Sequence, residues 1–253
     1  MSDNHKDARK FSEIEAVAKR GNAEAQYRLA ILYDKGIGTA PNKSQFYYWT
    51  RQSAEQNYPD AQHCLGGIYL VGYGTAKDEK KAFYWMKRGA KQDHAQAQYS
   101  LGLFYDNAIG TEANTTRAFF WTRQSARQNF HKAQLSLAHM YLIGEGAEKD
   151  EVKSFYWMKR SAEQNNAEAQ YQLSLMFFKG IGTAQNIGQA LYWCQRSANQ
   201  DYSKANFFLH TLLFDKKEDP TTATGRESSF FKGIELGSSK NYRNIYLKAN
   251  YCL

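Results

Sequence analysis

Apolar positions along residues 22–57 follow a helical period, break off, and resume. Ala25, Leu29, Leu32 and Tyr33 stand at i, i+4, i+7 and i+8, which is one face of an α-helix. Ala25 is small enough to admit a second helix at close range. The stretch "DKGIGTAPN" (34–42) then interrupts the pattern. Gly36 is placed to take the left-handed conformation that ends a helix, and Gly38 to turn the chain again without a Cβ penalty. Asn42 sits where its side-chain oxygen can cap the next helix by accepting a backbone N–H. "KSQFYYWTRQSAEQ" predicts that second helix, with Trp49, Ser53 and Ala54 turned toward the first, and Asn57 closes the unit. Truncating a Trp buried in this way to Ala would cost about 3–5 kcal/mol.

The whole unit recurs. Trp49, Trp85, Trp121, Trp157 and Trp193 are each 36 positions apart. Ala-Gln pairs at 25–26, 61–62, 97–98, 133–134 and 169–170 keep the same step, and Ala205-Asn206 follows. The cap position reads Asn42, Asp78, Asn114, Asp150 and Asn186. A Gly-x-Gly that cradled phosphate would be needed once; a turn is needed in every unit. A fixed period of this length predicts stacked units sharing a continuous core. "FSEIEAVAKRG" (11–21) aligns with a second helix, with Ala18 in register with Ala54 and Glu13 in the Trp slot, as a capping element. Three regions follow: an N-terminal capping helix over 1–21, five repeats over 22–201, and a degenerate sixth repeat with a C-terminal capping segment over 202–253. In that last region "KANFFLHTLLF" (204–214) is a first helix, the turn lengthens to "DKKEDPTTATG", and Ser229 takes the Trp slot. Units one and three share "WTRQSA"; units two and four carry "WMKRGA" and "WMKRSA". This alternation points to duplication of a two-repeat block.

Unit two resembles the Sel-one-like (Sel1-like) repeat family, short relatives of the tetratricopeptide repeat. Ala61, Leu65, Gly66, Tyr69, Gly72, Gly74, Asp78, Ala82, Trp85 and Ala90 match the family pattern. Asn or Asp replaces the closing Gly, and Phe46 replaces an Ala in unit one. The resemblance implies an all-α, right-handed α/α superhelical solenoid of 36-residue helix-turn-helix repeats, with first helices lining the concave face. It implies adaptor work on proteins and brings no shared catalytic residue. Some disulfide-rich members are linked to β-lactams; this chain lacks their cysteine pairs.

If Ala25, Leu29, Leu32 and Tyr33 face inward, the opposite side of that helix carries Tyr27, Ile31 and Asp34. The later equivalents are His63, Gly67 and Leu70; Tyr99, Leu103 and Asp106; Leu135, His139 and Leu142; Tyr171, Leu175 and Phe178; and Phe207, Thr211 and Phe214. A solvated face should be mostly charged, yet this one is apolar and aromatic with two acids. Two readings fit. The side chains are buried between neighbouring helices, or they form a concave groove for a helix or extended peptide with apolar anchors. The second helices carry a basic ladder, Arg51, Lys87, Arg123 and Lys159, with Arg88, Arg160 and Arg196 beside it. On the convex side this is a solvated face or a seat for an acidic partner.

The net charge of +8 permits an acidic protein, an anionic membrane surface or nucleic acid. Nucleic acid would need cations along one continuous groove, and no such motif is present. Cys64, Cys194 and Cys252 are odd in number and far apart, unlike a disulfide framework or a zinc site. No cofactor or metal is expected. His5, His63, His94, His131, His139 and His210 are scattered. An enzyme would require His63, Tyr99, Asp106 and His139 to converge. "MSDNHKDARK" has no apolar signal core, and no apolar run approaches the ~18 residues of a spanning helix. The expected compartment is the cytoplasm, or a host cytoplasm reached by signal-peptide-independent export. The expected function is a non-enzymatic protein-interaction scaffold or adaptor, of bacterial type. Its alternatives are an effector acting on a host protein and a toxin-neutralising immunity-type binder. Homo-oligomer formation is left open.

Overall fold

The computed structural model describes residues 2–214. The expected long turn after 214, Ser229 and the capping segment over 226–253 lie outside the described residues, as do the side chains of Thr211 and Phe214. Among the described residues there are twelve helices and no strand: α1 (Ser2–Lys19), α2 (Ala23–Lys35), α3 (Lys43–Glu55), α4 (Pro59–Val71), α5 (Glu79–Ala90), α6 (Ala95–Asp106), α7 (Thr115–Arg127), α8 (His131–Ile143), α9 (Glu151–Glu163), α10 (Ala167–Lys179), α11 (Ile187–Ala198) and α12 (Ser203–Phe214). They divide into two compact units, with the boundary after Ser125 in the last turn of α7. In the first unit α1 to α6 each pack on the next helix in chain order; in the second, α8 to α12 do the same.

The starts of the second helices and the stops of the first have local causes. Asn42, Asp78, Asn114, Asp150 and Asn186 all accept the expected backbone N–H three residues on, at 2.8–3.0 Å. Gly36, Gly72, Gly144 and Gly180 end their helices in the left-handed region. Ala108 holds the same place in the third unit with φ +55°. There the Cβ is strained against its own backbone, by about 1–2 kcal/mol. Ala108→Gly is therefore expected to stabilise the protein by about 0.5–1 kcal/mol net of the extra freedom of unfolded Gly, read as a raised urea midpoint.

The second glycine of the turn has a different task. A Cβ built on Gly110 would lie 2.0 Å from the Glu79 carbonyl oxygen, and one on Gly182 2.0 Å from that of Glu151. Each turn thus lies against the first residue of the preceding unit's second helix, with room for hydrogen only.

Buried polar side chains tie the units together. Gln26, Gln62, Gln98, Gln134 and Gln170 each donate Nε2–H to the carbonyl of Ala18, Ala54, Ala90, Ala126 or Ala162, at 3.1–3.2 Å. Those carbonyls end the preceding second helix; the ones of Ala18, Ala54, Ala126 and Ala162 also accept the backbone N–H three residues on at 3.0–3.1 Å, so the glutamine fills a second lone pair. Ser53, Ser125, Ser161 and Ser197 donate across the unit to Ala23, Ala95, His131 and Ala167 carbonyls at 2.6–2.8 Å. The closing residues Asn57, Asp93, Asn129, Asn165 and Asp201 all adopt positive φ. Asn and Asp tolerate this region better than other residues with a Cβ. They also add something Gly cannot: Asn129 Oδ1 accepts from Gln134, Arg160 and Gln164 at 3.1–3.3 Å.

The apolar core lies between helices, with Phe46, Leu65, Met86 and Phe104 fully buried in the first unit and Leu135, Met158, Leu173 and Met176 in the second. The tryptophans depart from expectation. Trp85 and Trp193 are buried, but Trp49, Trp121 and Trp157 are only partly so. One edge of each is met by the aromatic residue immediately before it.

Candidate interaction surfaces

The first-helix positions expected to line a groove fall into three groups. His63, Tyr99, Leu103, His139, Tyr171 and Leu175 are buried. Tyr27, Leu70, Asp106, Leu142 and Phe178 are partly buried, and Phe207 is 62% exposed. Several have partners within the array. Tyr27 stacks on Tyr58, and Tyr27 and Leu70 pack against the first unit's core. Tyr171 meets Tyr202 and Phe208, and Phe178 also meets Phe208.

Of the residues an enzyme would need, His63, Tyr99 and His139 are buried and Asp106 is partly so. His63 Nε2 lies 3.2 Å from Ser100 Oγ, and its ring is 5.4 Å from that of His94. His139 belongs to the second unit. His94 caps α6: its Nδ1 accepts the Ala97 N–H at 3.1 Å, while Nε2 lies 3.3 Å from Asp60 Oδ1. An acceptor at Nδ1 leaves the proton on Nε2, donated to Asp60. A concavity of about 250 Å³ between α1 and the start of α2 is lined by Glu13, Ile14, Val17 and Arg28 among others. Its lining includes no His, Ser, Thr, Cys or Lys. Among the described residues no group of three or more His, Cys, Asp or Glu could hold a metal, and no helix is long and apolar enough to cross a membrane.

Acid sensitivity follows from these contacts. The bond from His94 holds the Asp60 carboxyl below its usual range. The Lys81 backbone N–H does so for Asp78, and the Lys153 ammonium and N–H for Asp150. Burial, with Lys132 adding to it, holds His131 below the usual imidazole range. In each case the unfolded chain binds the proton more tightly. The stabilisation is therefore complete above the unfolded values and is lost as pH falls through the folded ones. Tm is expected to be flat near neutrality, to sag below about pH 6.5 as His131 charges, and to fall steeply below about pH 4. Asp78→Asn and Asp150→Asn, which keep the cap, should soften the acid limb in scanning fluorimetry.

The second helices carry a surface that the basic ladder alone does not convey. Tyr48, Tyr84, Phe120, Tyr156 and Tyr192, one per repeat, are 48–52% exposed. Each stands edge to face with the following Trp, ring centroids 5.0–5.1 Å apart. Arg51, Lys87, Arg123 and Lys159 lie three residues beyond the first four rings, on the same helical stripe. Arg88, Arg160 and Arg196 lie four beyond and reach the Tyr84, Tyr156 and Tyr192 hydroxyls at 3.2–3.4 Å. Arg88 and Arg196 also lie over Trp85 and Trp193, at 5.2 and 5.6 Å. The expected ladder is thus half aromatic. The sequence signal was the aromatic before each Trp, hidden inside the apolar runs "FYYW" and "AFYW".

The Sel1 repeat family model matches residues 23–58, 59–94, 95–130, 131–166 and 167–202. Among solved structures, the chain resembles c5321, a protective antigen of uropathogenic Escherichia coli with an SLR fold. Identity is 30% and the TM-score 0.77, over 96% of this chain and 53% of that one. It resembles a Sel1 repeat protein from Oxalobacter formigenes at 25% identity and TM-score 0.74, over 80% and 58%. It therefore spans little more than half the length of either. Immunity protein Pa5087 of Pseudomonas aeruginosa shares the fold at 16% identity and TM-score 0.50, over 78% and 75%. No curated protein matches the chain in sequence. Five matched repeats, capped, turned and stitched alike, make the chain a member of the Sel1 repeat family and an all-α solenoid.

Proposed function

We propose that the chain is a protein-interaction scaffold that meets its partner through the second-helix face. Sel1 repeat proteins are generally protein-interaction scaffolds. The observation that carries the choice of face is the half-exposed aromatic repeated in all five units. An exposed ring fixed by a Trp edge has little conformational freedom left to lose on binding, and Tyr, Trp and Arg dominate protein-interface hot spots. On the first-helix face, a partner reaching for Tyr99 or Leu103 would first have to uncover a buried side chain. Tyr27, Leu70, Asp106, Leu142, Phe178 and Phe207 are groove positions on that side that are not fully buried. An effector or immunity-type role would be this same binding with a particular partner.

Photo-cross-linking residues placed singly at 84, 120, 156, 27 and 142 separate the faces. Partner cross-links from 84, 120 or 156, with none from 27 or 142, are the expected result in bacterial and host lysates. The reverse pattern would move the contact to the first-helix face and overturn this choice.

A further inference from the structure

The charge of the first unit is sorted by layer. Over α3, α5 and the part of α7 up to Ser125, eight Lys and Arg face two acids, Glu55 and Glu79. The first helices α2, α4 and α6 carry two bases against four acids. Part of the excess is offset at the start of α5, where Lys81 pairs with the cap residue Asp78 at 3.2 Å. Arg51 pairs with Glu55 at 2.8 Å, but the equivalents of Glu55 in the next two repeats are Lys91 and Arg127. On α5 and α7 the exposed rings of Tyr84 and Phe120 thus stand beside Lys87 and Arg123 with a base where an acid would offset them.

Arg88 adds a fixed guanidinium. It lies over Trp85, 5.2 Å from the ring, reaches the Tyr84 hydroxyl, and donates to Asn57 Oδ1 in the preceding repeat. A guanidinium so held suits a carboxylate, because its planar fork is already oriented. It suits a nucleobase poorly. Stacking requires an open ring face, and Arg88 lies over the Tyr84 ring at 5.9 Å.

Resting on the reading of this face as the contact surface, we propose that Tyr84, Lys87, Arg88, Phe120 and Arg123 dock an acidic segment of a partner protein. Its Asp or Glu side chains meet the cations, and its interspersed apolar side chains cover the two rings. The charge accelerates encounter and sets the sign of the partner; the rings supply the area that resists dissociation.

The test uses the whole chain and fluorescence anisotropy. The probes are a labelled peptide of Glu with interspersed Leu and Phe, polyglutamate, oligo-dT, and vesicles of phosphatidylserine and phosphatidylcholine in equal parts. The acidic apolar peptide is expected to bind best and to weaken as salt is raised. Lys87→Glu with Arg123→Glu, and separately Tyr84→Ser with Phe120→Ser, should each weaken it about tenfold. All four positions are surface ones, and circular dichroism verifies the fold. Tyr192→Ser, in the other unit, should leave binding unchanged. Binding of the peptide that neither double variant weakens would overturn the site. Preference for oligo-dT or vesicles, lost in the same variants, would overturn the acidic protein partner while sparing the second-helix face as a contact surface. If no probe binds, the proposal fails; cross-links from position 84 would then still uphold the scaffold reading by themselves.

Discussion

Alanine at Gly110 is expected to destabilise the protein by about 2–5 kcal/mol. Two independent terms add. Gly110 has φ +63°, where an L-residue is penalised by about 1–2 kcal/mol. The new Cβ would also fall 2.0 Å from the Glu79 carbonyl oxygen, a backbone atom that cannot swing aside. Overpacking of this kind typically costs about 1–3 kcal/mol. The turn must lift off the start of α5 and lose its contact with the preceding unit. Gly182→Ala, against Glu151, should behave alike in the second unit. Gly188→Ala is the control: it lies in the first turn of α11, its nearest neighbour would be Asn186 Oδ1 at 3.4 Å, and it should be neutral or gain up to ~1 kcal/mol of helix propensity. Urea midpoints decide the matter. If Gly110→Ala melts like the wild type, the turns do not carry the stack.

The second large effect is expected at Gln62. It is fully buried, donates to the Ala54 carbonyl at 3.1 Å and to Asn57 Oδ1 at 3.4 Å, and accepts from Gln92 Nε2 at 2.7 Å. Gln62→Leu keeps the volume and removes every one of these bonds. Each of the three bonds contributes about 0.5–1.5 kcal/mol net, so the loss should reach about 2–4 kcal/mol. The exposed Gln56→Ala, which removes one donor to Gln26, should cost about 1 kcal/mol or less. A Gln62→Leu protein as stable as the wild type would mean that packing alone holds the junction.

What the sequence disclosed was local. Helix periods, caps and turns are decided within four residues, so Asn42, Gly36 and their equivalents could be assigned from neighbours in the chain. The Ala-Gln pair was visible as a repeat but had no legible task, because its acceptor lies eight residues back across a turn whose geometry is not written in any spacing. Arg88 was read as part of a basic face, solvated or seating an acidic partner; its hydrogen-bond partner Asn57 is 31 residues away. The Trp slots were read as core, yet three of five are only partly buried; the two that are buried, Trp85 and Trp193, carry Arg88 and Arg196 over their rings. The apolar pattern of Tyr99, Leu103, Tyr171 and Leu175 fitted burial and a groove alike. Hydrophobic periodicity names a face without saying what lies against it.

The glutamine bonds all point one way. In each, the later repeat brings the N–H and the earlier one offers the carbonyl, and Arg160 to Asn129 runs in the same sense. The requirements on the two sides of a junction therefore differ in kind. What stands behind must carry a specific amide side chain at a specific register. What stands in front offers backbone at the junction, a carbonyl beside a small residue, as α1 does at Ala18 without any Trp. The front of such an array is generic and the rear is coded. In grafting or lengthening, a foreign helix can be spliced ahead of the first unit with little redesign, while every unit added behind must bring its own glutamine.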